Sequence, residues 1–180
     1  MLQLLIPERE LFNESTNTFL CIKPQVLTLE HSLVSISKWE SKWKKPFFGK
    51  EDKTLQETID YVRCMTISQN VDPSVYMAIG DNEIIQIKNY IEDSMTATWF
   101  SDTGQTKKSN EIITSEVIYC WMIQNNIPME CQKWHLNRLL TLIRVCSIKN
   151  SPPEKKTKQQ ILSENARLNA ERKKRLGTTG

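Results

Sequence analysis

Along the first thirty residues the apolar positions come in short bursts. Leu2–Ile6 (LQLLI) and Thr18–Ile22 (TFLCI) are apolar runs, separated by a polar stretch around Asn13–Asn17 that suits a turn. Val26–Glu30 (VLTLE) alternates apolar with polar residues, as a half-buried strand does. Pro7 and Pro24 bound these pieces, a placement proline tolerates in edge strands. The pattern predicts a small antiparallel hairpin or three-stranded sheet over residues 1–31.

From Ser32 the period lengthens to that of a helix. Leu33, Ile36, Trp39, Trp43 and Phe47 step by three or four residues, which puts them on one face, and Pro46 marks an end. Thr54-Leu55-Gln56-Glu57 reads as a capping box opening a second helix with Leu55, Ile59 and Val62 as its stripe. Asp72 and Pro73 suit a cap and first helical position, with Gly80 as the stop. Asp81 can then cap a helix carrying Ile84, Ile87 and Ile91 on one side. Thr96–Phe100 (TATWF) is rich in strand formers, and the stretch Asp102–Asn110 reads as a loop. Beyond Glu116 a helix ending near Asn126 is apolar around most of its circumference, which predicts a central buried element. Pro128 breaks it. A long helix from Met129 to Asn150 follows, with Trp134, Leu139, Leu142 and Cys146 on one side and Arg138 and Lys149 on the other. Two such neighbours with a short link predict an antiparallel helical hairpin.

Ser151-Pro152-Pro153 cannot continue a helix and reads as a linker. The segment after it, Lys155–Gly180, has high helix propensity but few apolar residues: Ile161, Leu162, Leu168 and Leu176. Helices of this kind are marginal in water without a surface to pack on. The expected fold class is therefore mainly α: a multi-helix body over residues 32–150, a small N-terminal antiparallel β element over 1–31, and a charged, helix-prone arm over 151–180.

Composition sharpens this division. The 180 residues carry a net charge of +3, but residues 151–180 hold eight basic and three acidic side chains, a net +5, which leaves −2 for the first 150. A slightly acidic body with a basic arm points to two functional parts. The five cysteines (Cys21, Cys64, Cys120, Cys131, Cys146) form no CxxC pair, so the expectation is core thiols in a reducing compartment rather than disulfides or a zinc knuckle. No apolar run approaches the ~20 residues needed to cross a bilayer. The N-terminus lacks the basic leader of a secretory signal, so a soluble cytosolic protein is expected.

Candidate chemistry is sparse. Only His31 and His135 could serve as acid–base residues near neutral pH, and neither has a nucleophile or carboxylate at telling spacing. Their expected roles are structural, with capping or surface exposure for His31. The five glycines form no phosphate-cradling loop. No catalytic, cofactor-binding or metal-ligating residue is assigned, and an enzyme is not expected. Trp39, Trp43, Trp121 and Trp134 fall at helical spacing among aliphatics and are expected in the core. Lys38–Lys50 (KWESKWKKPFFGK) mixes aromatics with lysines; it reads as an amphipathic helix with a basic polar side, with an acidic or phosphate partner as the alternative. The arm offers the candidate partner-binding residues Ile161, Leu162, Leu168, Arg172, Lys173, Lys174 and Arg175. The aliphatics suit docking in a partner's groove, the basic cluster also suits phosphates.

The arm's ending, ILSENARLNAERKKRLGTTG, behind a proline-marked linker, resembles that of the tail assembly chaperones of long-tailed bacteriophages. LEHSLVSISKWESKW, TIDYVRCMT, TATWFS and KWHLNRLLTLIRVC are similar to stretches of small proteins encoded in phage tail modules. The resemblance spans most of the chain. It implies a mainly helical, non-catalytic assembly factor, without cofactor, working in the host cell cytoplasm. Its partners would be the tape measure protein and the tail tube protein, with self-association as a further possibility and no membrane involved. The strand-like N-terminus departs from that pattern. It suits instead a structural virion protein of the neck or tail, such as a head–tail connector or tail completion protein. A small nucleic-acid-binding regulator using the basic arm is the third reading.

Overall fold

The structure, a computed structural model, describes residues 1–13, 17–100, 112–151 and 158–177. It is mainly helical with a small antiparallel β element, and it divides into two compact units, Met1–Lys149 and Asn150–Gly180.

The β element has four strands rather than two or three. β1 (Leu2–Ile6) pairs with β4 (Gln25–Leu29), and β2 (Arg9–Asn13) pairs with β3 (Thr18–Ile22), both antiparallel. β2, RELFN, has charges at its start and no alternation, which hid it in the sequence. Ile6 stands opposite Gln25 and Arg9 opposite Ile22, so one register runs through both pairs and sets Pro7 opposite Pro24. Proline donates no ladder hydrogen bond, and the hairpin breaks there into two ribbons. The inward parity changes at the break. Leu4 and Ile6 are buried below it with Leu27 and Leu29; above it Ile22 is buried, while Phe12 and Phe19 are exposed and stack at 5.1 Å.

The lower ribbon forms one wall of the core. α1 (Leu33–Trp43) starts at Ser32, whose hydroxyl accepts the Ser35 N–H while Ser35 Oγ accepts the Ser32 N–H. Leu33, Ile36 and Trp39 then face the core. The helix ends at Trp43, before Pro46, because Lys44 adopts a left-handed conformation and its N–H returns to the Glu40 carbonyl. Phe47 is buried all the same, folded back from the following loop. α2 (Leu55–Met65) has the expected Thr54–Glu57 capping box. Its buried face is Tyr61, Val62 and Met65, whereas Leu55 is exposed, since it lies in the first turn before the helix reaches the core. Trp39 Nε1 donates to the Glu57 carbonyl at 2.8 Å, fixing α1 against α2.

Asp72 caps a 3-10 turn, Pro73–Ala78, by accepting the Ser74 N–H. Gly80 does not stop this element; it is the residue preceding α3 (Asp81–Glu92), so Asp81 is the first helical residue and not the cap. Gly80 N–H donates to Glu83, and a Cβ on Gly80 would lie 2.6 Å from the Arg9 guanidinium that Glu83 also holds. A Cβ there would be accommodated only by moving the ends of the Arg9 and Glu83 side chains. On α3, Ile87 and Tyr90 are buried, and Ile84 and Ile91 only partly.

Thr96–Phe100 forms no strand, and the expected loop at 102–110 lies outside the described residues. α4 (Ser115–Gln124) is not buried all round: Ile118 and Met122 are in the core, while Cys120 and Ile123 are exposed. The predicted helix from Met129 to Asn150 is interrupted. A 3-10 turn, Met129–Lys133, gives way to an extended Trp134, and α5 (Leu136–Asn150) begins only after His135 bridges to Ser32. The Leu136 N–H donates to the His31 carbonyl at 2.7 Å. A tertiary hydrogen bond thus takes the main-chain groups that a continuous helix would have used. Nor do α4 and α5 close into a tight hairpin, since a cleft opens between them. The second unit contains α6 (Lys158–Leu176), which ends at Gly177 with φ +63°. The proposed linker residues Pro152 and Pro153 lie outside the described residues.

Candidate functional site

The histidines, which sequence alone leaves apart, are brought together. His31 and His135 are both buried, with ring centroids 5.1 Å apart in an edge-on arrangement. His31 is therefore neither a cap nor a surface residue. The Ser35 hydroxyl donates to the Ser32 carbonyl at 2.7 Å, and the Tyr61 hydroxyl and His31 Nδ1 share a hydrogen bond of 2.5 Å. His135 Nε2–H donates to the Tyr90 carbonyl at 3.0 Å, and its Nδ1 finds no partner among the described residues. Burial, and secondarily the neighbouring His135, holds His31 down at about 3. Burial lowers His135 as well, against the Tyr90 carbonyl and the more distant Glu30 and Asp93. Both rings are thus neutral at pH 7. The Tyr90 hydroxyl donates to Glu30 at 2.7 Å, and Glu30 also pairs with the N-terminal ammonium. Ser, His and Tyr do meet here, but none of them lines the α4–α5 cleft or the smaller cavity beside Glu92, Phe100 and Arg144. The cluster joins the hairpin base, α1, α2, α3 and α5.

The lysine-rich stretch around α1 is engaged with the fold. Lys42 pairs with the buried Asp60 at 2.6 Å, and Lys45 pairs with Glu57 at 3.0 Å. Lys53 donates to the Phe47 carbonyl and sits over that ring at 4.2 Å. Of the tryptophans expected in the core, Trp39 is buried and Trp43 and Trp121 are partly so. Trp134 is at the surface under the Arg138 guanidinium. Of the thiols, Cys131 alone is buried; Cys21 and Cys120 are exposed, so the all-core reading of the cysteines is corrected.

A cleft of about 680 Å³ opens between α4 and α5. Phe48, Ile113, Ile118, Trp121, Leu140 and Ile143 make its apolar wall, and Gln124, Asn125, Arg144 and Ser147 its polar part. Arg144 is the one ionisable lining residue, and its guanidinium stacks 4.0 Å from the Phe100 ring. The sequence signal was present: the all-round apolar character of α4 supplies both a core face and a cleft face. It could not be read as a cleft without the position of α5.

The predicted arm residues fall on α6. Leu162 and Leu168 are exposed, and Arg172, Lys173, Lys174 and Arg175 lie exposed in its last turns. Ile161 belongs to the same helix, but its side chain lies outside the described residues. Basic side chains at a helix C-terminus complement its dipole, which supports the helix as it stands.

Among the described residues there is no cluster of three or more metal-ligating side chains, and no helix is long and apolar enough to cross a membrane. Comparison with family models, curated proteins and solved structures gives no match.

Proposed function

We propose that the protein is a non-catalytic assembly factor that seats an apolar helical segment of a client in the α4–α5 cleft. More specifically, we propose a tail assembly chaperone of a long-tailed phage, acting in the host cytoplasm on the tape measure protein and recruiting tail tube subunits. The observation that carries the reading is the cleft itself: about 680 Å³, walled by aromatic and aliphatic side chains, with one cation in its lining. That volume lies within the range typical of ligand sites, ~300–1,000 Å³. An amphipathic helix lays side chains at i, i+3, i+4 and i+7 into such a groove. The exposed α6, with Leu162, Leu168 and the Arg172–Arg175 cluster, supplies a second contact surface for acidic segments of the client or of tube subunits. The resemblance of the arm to the chaperone family supports the choice of client.

The test is co-expression with the tape measure and tail tube proteins of the same phage, followed by size-exclusion chromatography with light scattering. A soluble complex with the tape measure protein is expected. Phe48→Glu with Ile113→Glu, both at exposed positions of the wall, should abolish the complex and leave the fold intact. A complex indifferent to that double variant, or no complex with either client, overturns the reading.

The structural-protein reading draws on a different observation, the exposed Phe12, Phe19 and Leu20 of the upper ribbon. Presence of the chain in purified virions would favour it over a chaperone that departs after assembly.

A further inference from the structure

The two edges of the hairpin are treated differently along its length. On the β4 side the lower half is covered by the residues that follow α2. Glu30 N–H donates to the Met65 carbonyl and Ile67 N–H to the Thr28 carbonyl, both at 2.9 Å, and Thr28 N–H donates to Ser68 Oγ at 2.8 Å. The upper half of that same edge is β3. Ile22 at its base is buried and the 3-10 turn Pro73–Ala78 packs nearby, but Phe19, Leu20 and Cys21 are exposed. Among the described residues β3 pairs in the sheet with β2 alone.

An open strand edge presents alternate N–H and C=O groups outward, and folded proteins guard such edges with charge, proline or cover. β2 carries Arg9 and Glu10, and Arg9 is held by Glu83 at 3.0 Å. β3, TFLCI, carries neither charge nor proline and is apolar at four of its five positions. On its outer face Phe19 stacks on Phe12, the exposed Glu10 stands opposite Cys21, and Glu8 accepts from the Cys21 thiol at 3.7 Å; the exposed Leu5–Val26 pair lies beyond the proline break.

We propose that β3 is a self-association edge, which pairs antiparallel with β3 of a second copy about a two-fold axis near Leu20 and builds one four-stranded sheet from the two upper ribbons. A further strand is the element whose main chain matches a row of strand donors and acceptors. The sequence of β3 selects a second copy of itself. A two-fold axis sets each residue near its own counterpart, so a charged edge would repel, and this edge has no lysine, arginine, aspartate or glutamate. With the axis at Leu20, Phe19 of one copy lies across from Cys21 of the other. Phe12 stands behind Phe19 on β2, so the Phe12–Phe19 stack of each copy meets Cys21 of the other, with Glu10 of β2 behind each Cys21.

The experiment uses the full chain. Sedimentation equilibrium should show a monomer–dimer equilibrium, and amide hydrogen exchange at Phe19–Cys21 should slow as concentration rises. Phe19→Lys, at an exposed position, places two ammonium groups diagonally across the axis within reach of one another and should weaken the dimer about tenfold or more. Phe19→Glu alone should do the same, while an equimolar mixture of the two variants should recover association. Thermal melts of the separate variants confirm that the monomer still folds. A chain that stays monomeric at its highest soluble concentration overturns the proposal. So does a dimer unaffected by both charge variants, or one that forms without protection at Phe19–Cys21.

Discussion

Glu40, near the end of α1, accepts the main-chain N–H of Ser115, the first residue of α4, at 2.8 Å. Its other carboxyl oxygen accepts the Phe47 N–H at 2.7 Å. One buried side chain therefore fixes the loop after α1 and the start of a helix 75 residues away in the chain. It also places an acidic group at the N-terminus of α4, where the helix dipole favours it.

Glu40→Ala should be among the most destabilising single changes in the body. It leaves two buried N–H donors without acceptors, each costing about 1–3 kcal/mol. A loss of roughly 3 kcal/mol is expected in urea denaturation, with Glu40→Gln milder because its amide oxygen still accepts one bond. An alanine variant within about 0.5 kcal/mol of the parent would show that water or a shifted backbone replaces the carboxyl.

Acid should loosen the fold through the histidine pair. Both rings are buried neutral, with folded pKa values below the ordinary 6.5, that of His31 at about 3. The unfolded chain therefore binds more protons than the folded one between those limits. Stability is full above pH 6.5 and falls as pH drops through the window, with a slope of up to about 1.4 kcal/mol per pH unit for each such histidine. Denaturant midpoints measured between pH 7.5 and 4.5 check the sign. In His31→Phe the profile should flatten; an unchanged profile would put the acid sensitivity elsewhere.

The α2 cap can be tested without touching the core. Thr54→Ala removes the side-chain acceptor for the Glu57 N–H, at 3.2 Å in the structure. The expected cost is about 1 kcal/mol. Thr54→Asp should restore most of it, since aspartate caps as well as threonine; a loss equal to that of alanine would argue against capping as the cause.

Removal of Lys155–Gly180 should leave the thermal midpoint of the body within about 2 °C. Leu162, Leu168 and Leu176 are exposed, so little apolar burial is forfeited. A large fall in differential scanning calorimetry would show that the arm contributes to the stability of the remainder.

Much of the element list was legible because its signals are local. The Thr54–Glu57 box and the Asp72–Pro73 start are set by residues within a few positions of one another. β2 was missed because its partner, not its own pattern, makes it a strand. Gly80 looked like a stop, but it stands immediately before α3, against the guanidinium of Arg9, 71 positions earlier in the chain. The start of α5 was not legible either, because the His31 carbonyl takes the Leu136 N–H and the helix begins several residues after periodicity began it.

By itself the sequence determined the mainly helical class, the β start, most helix positions and the charge contrast between body and arm. These follow from side-chain period, capping chemistry and net charge, which act over a turn of helix or less. Only the tertiary structure decided that two histidines 104 positions apart share one buried site, that Glu40 binds Ser115, and which apolar faces stay uncovered. Hydrophobicity tells a residue to leave water. It does not say which partner will cover it, and that choice is made by packing between elements distant in the chain.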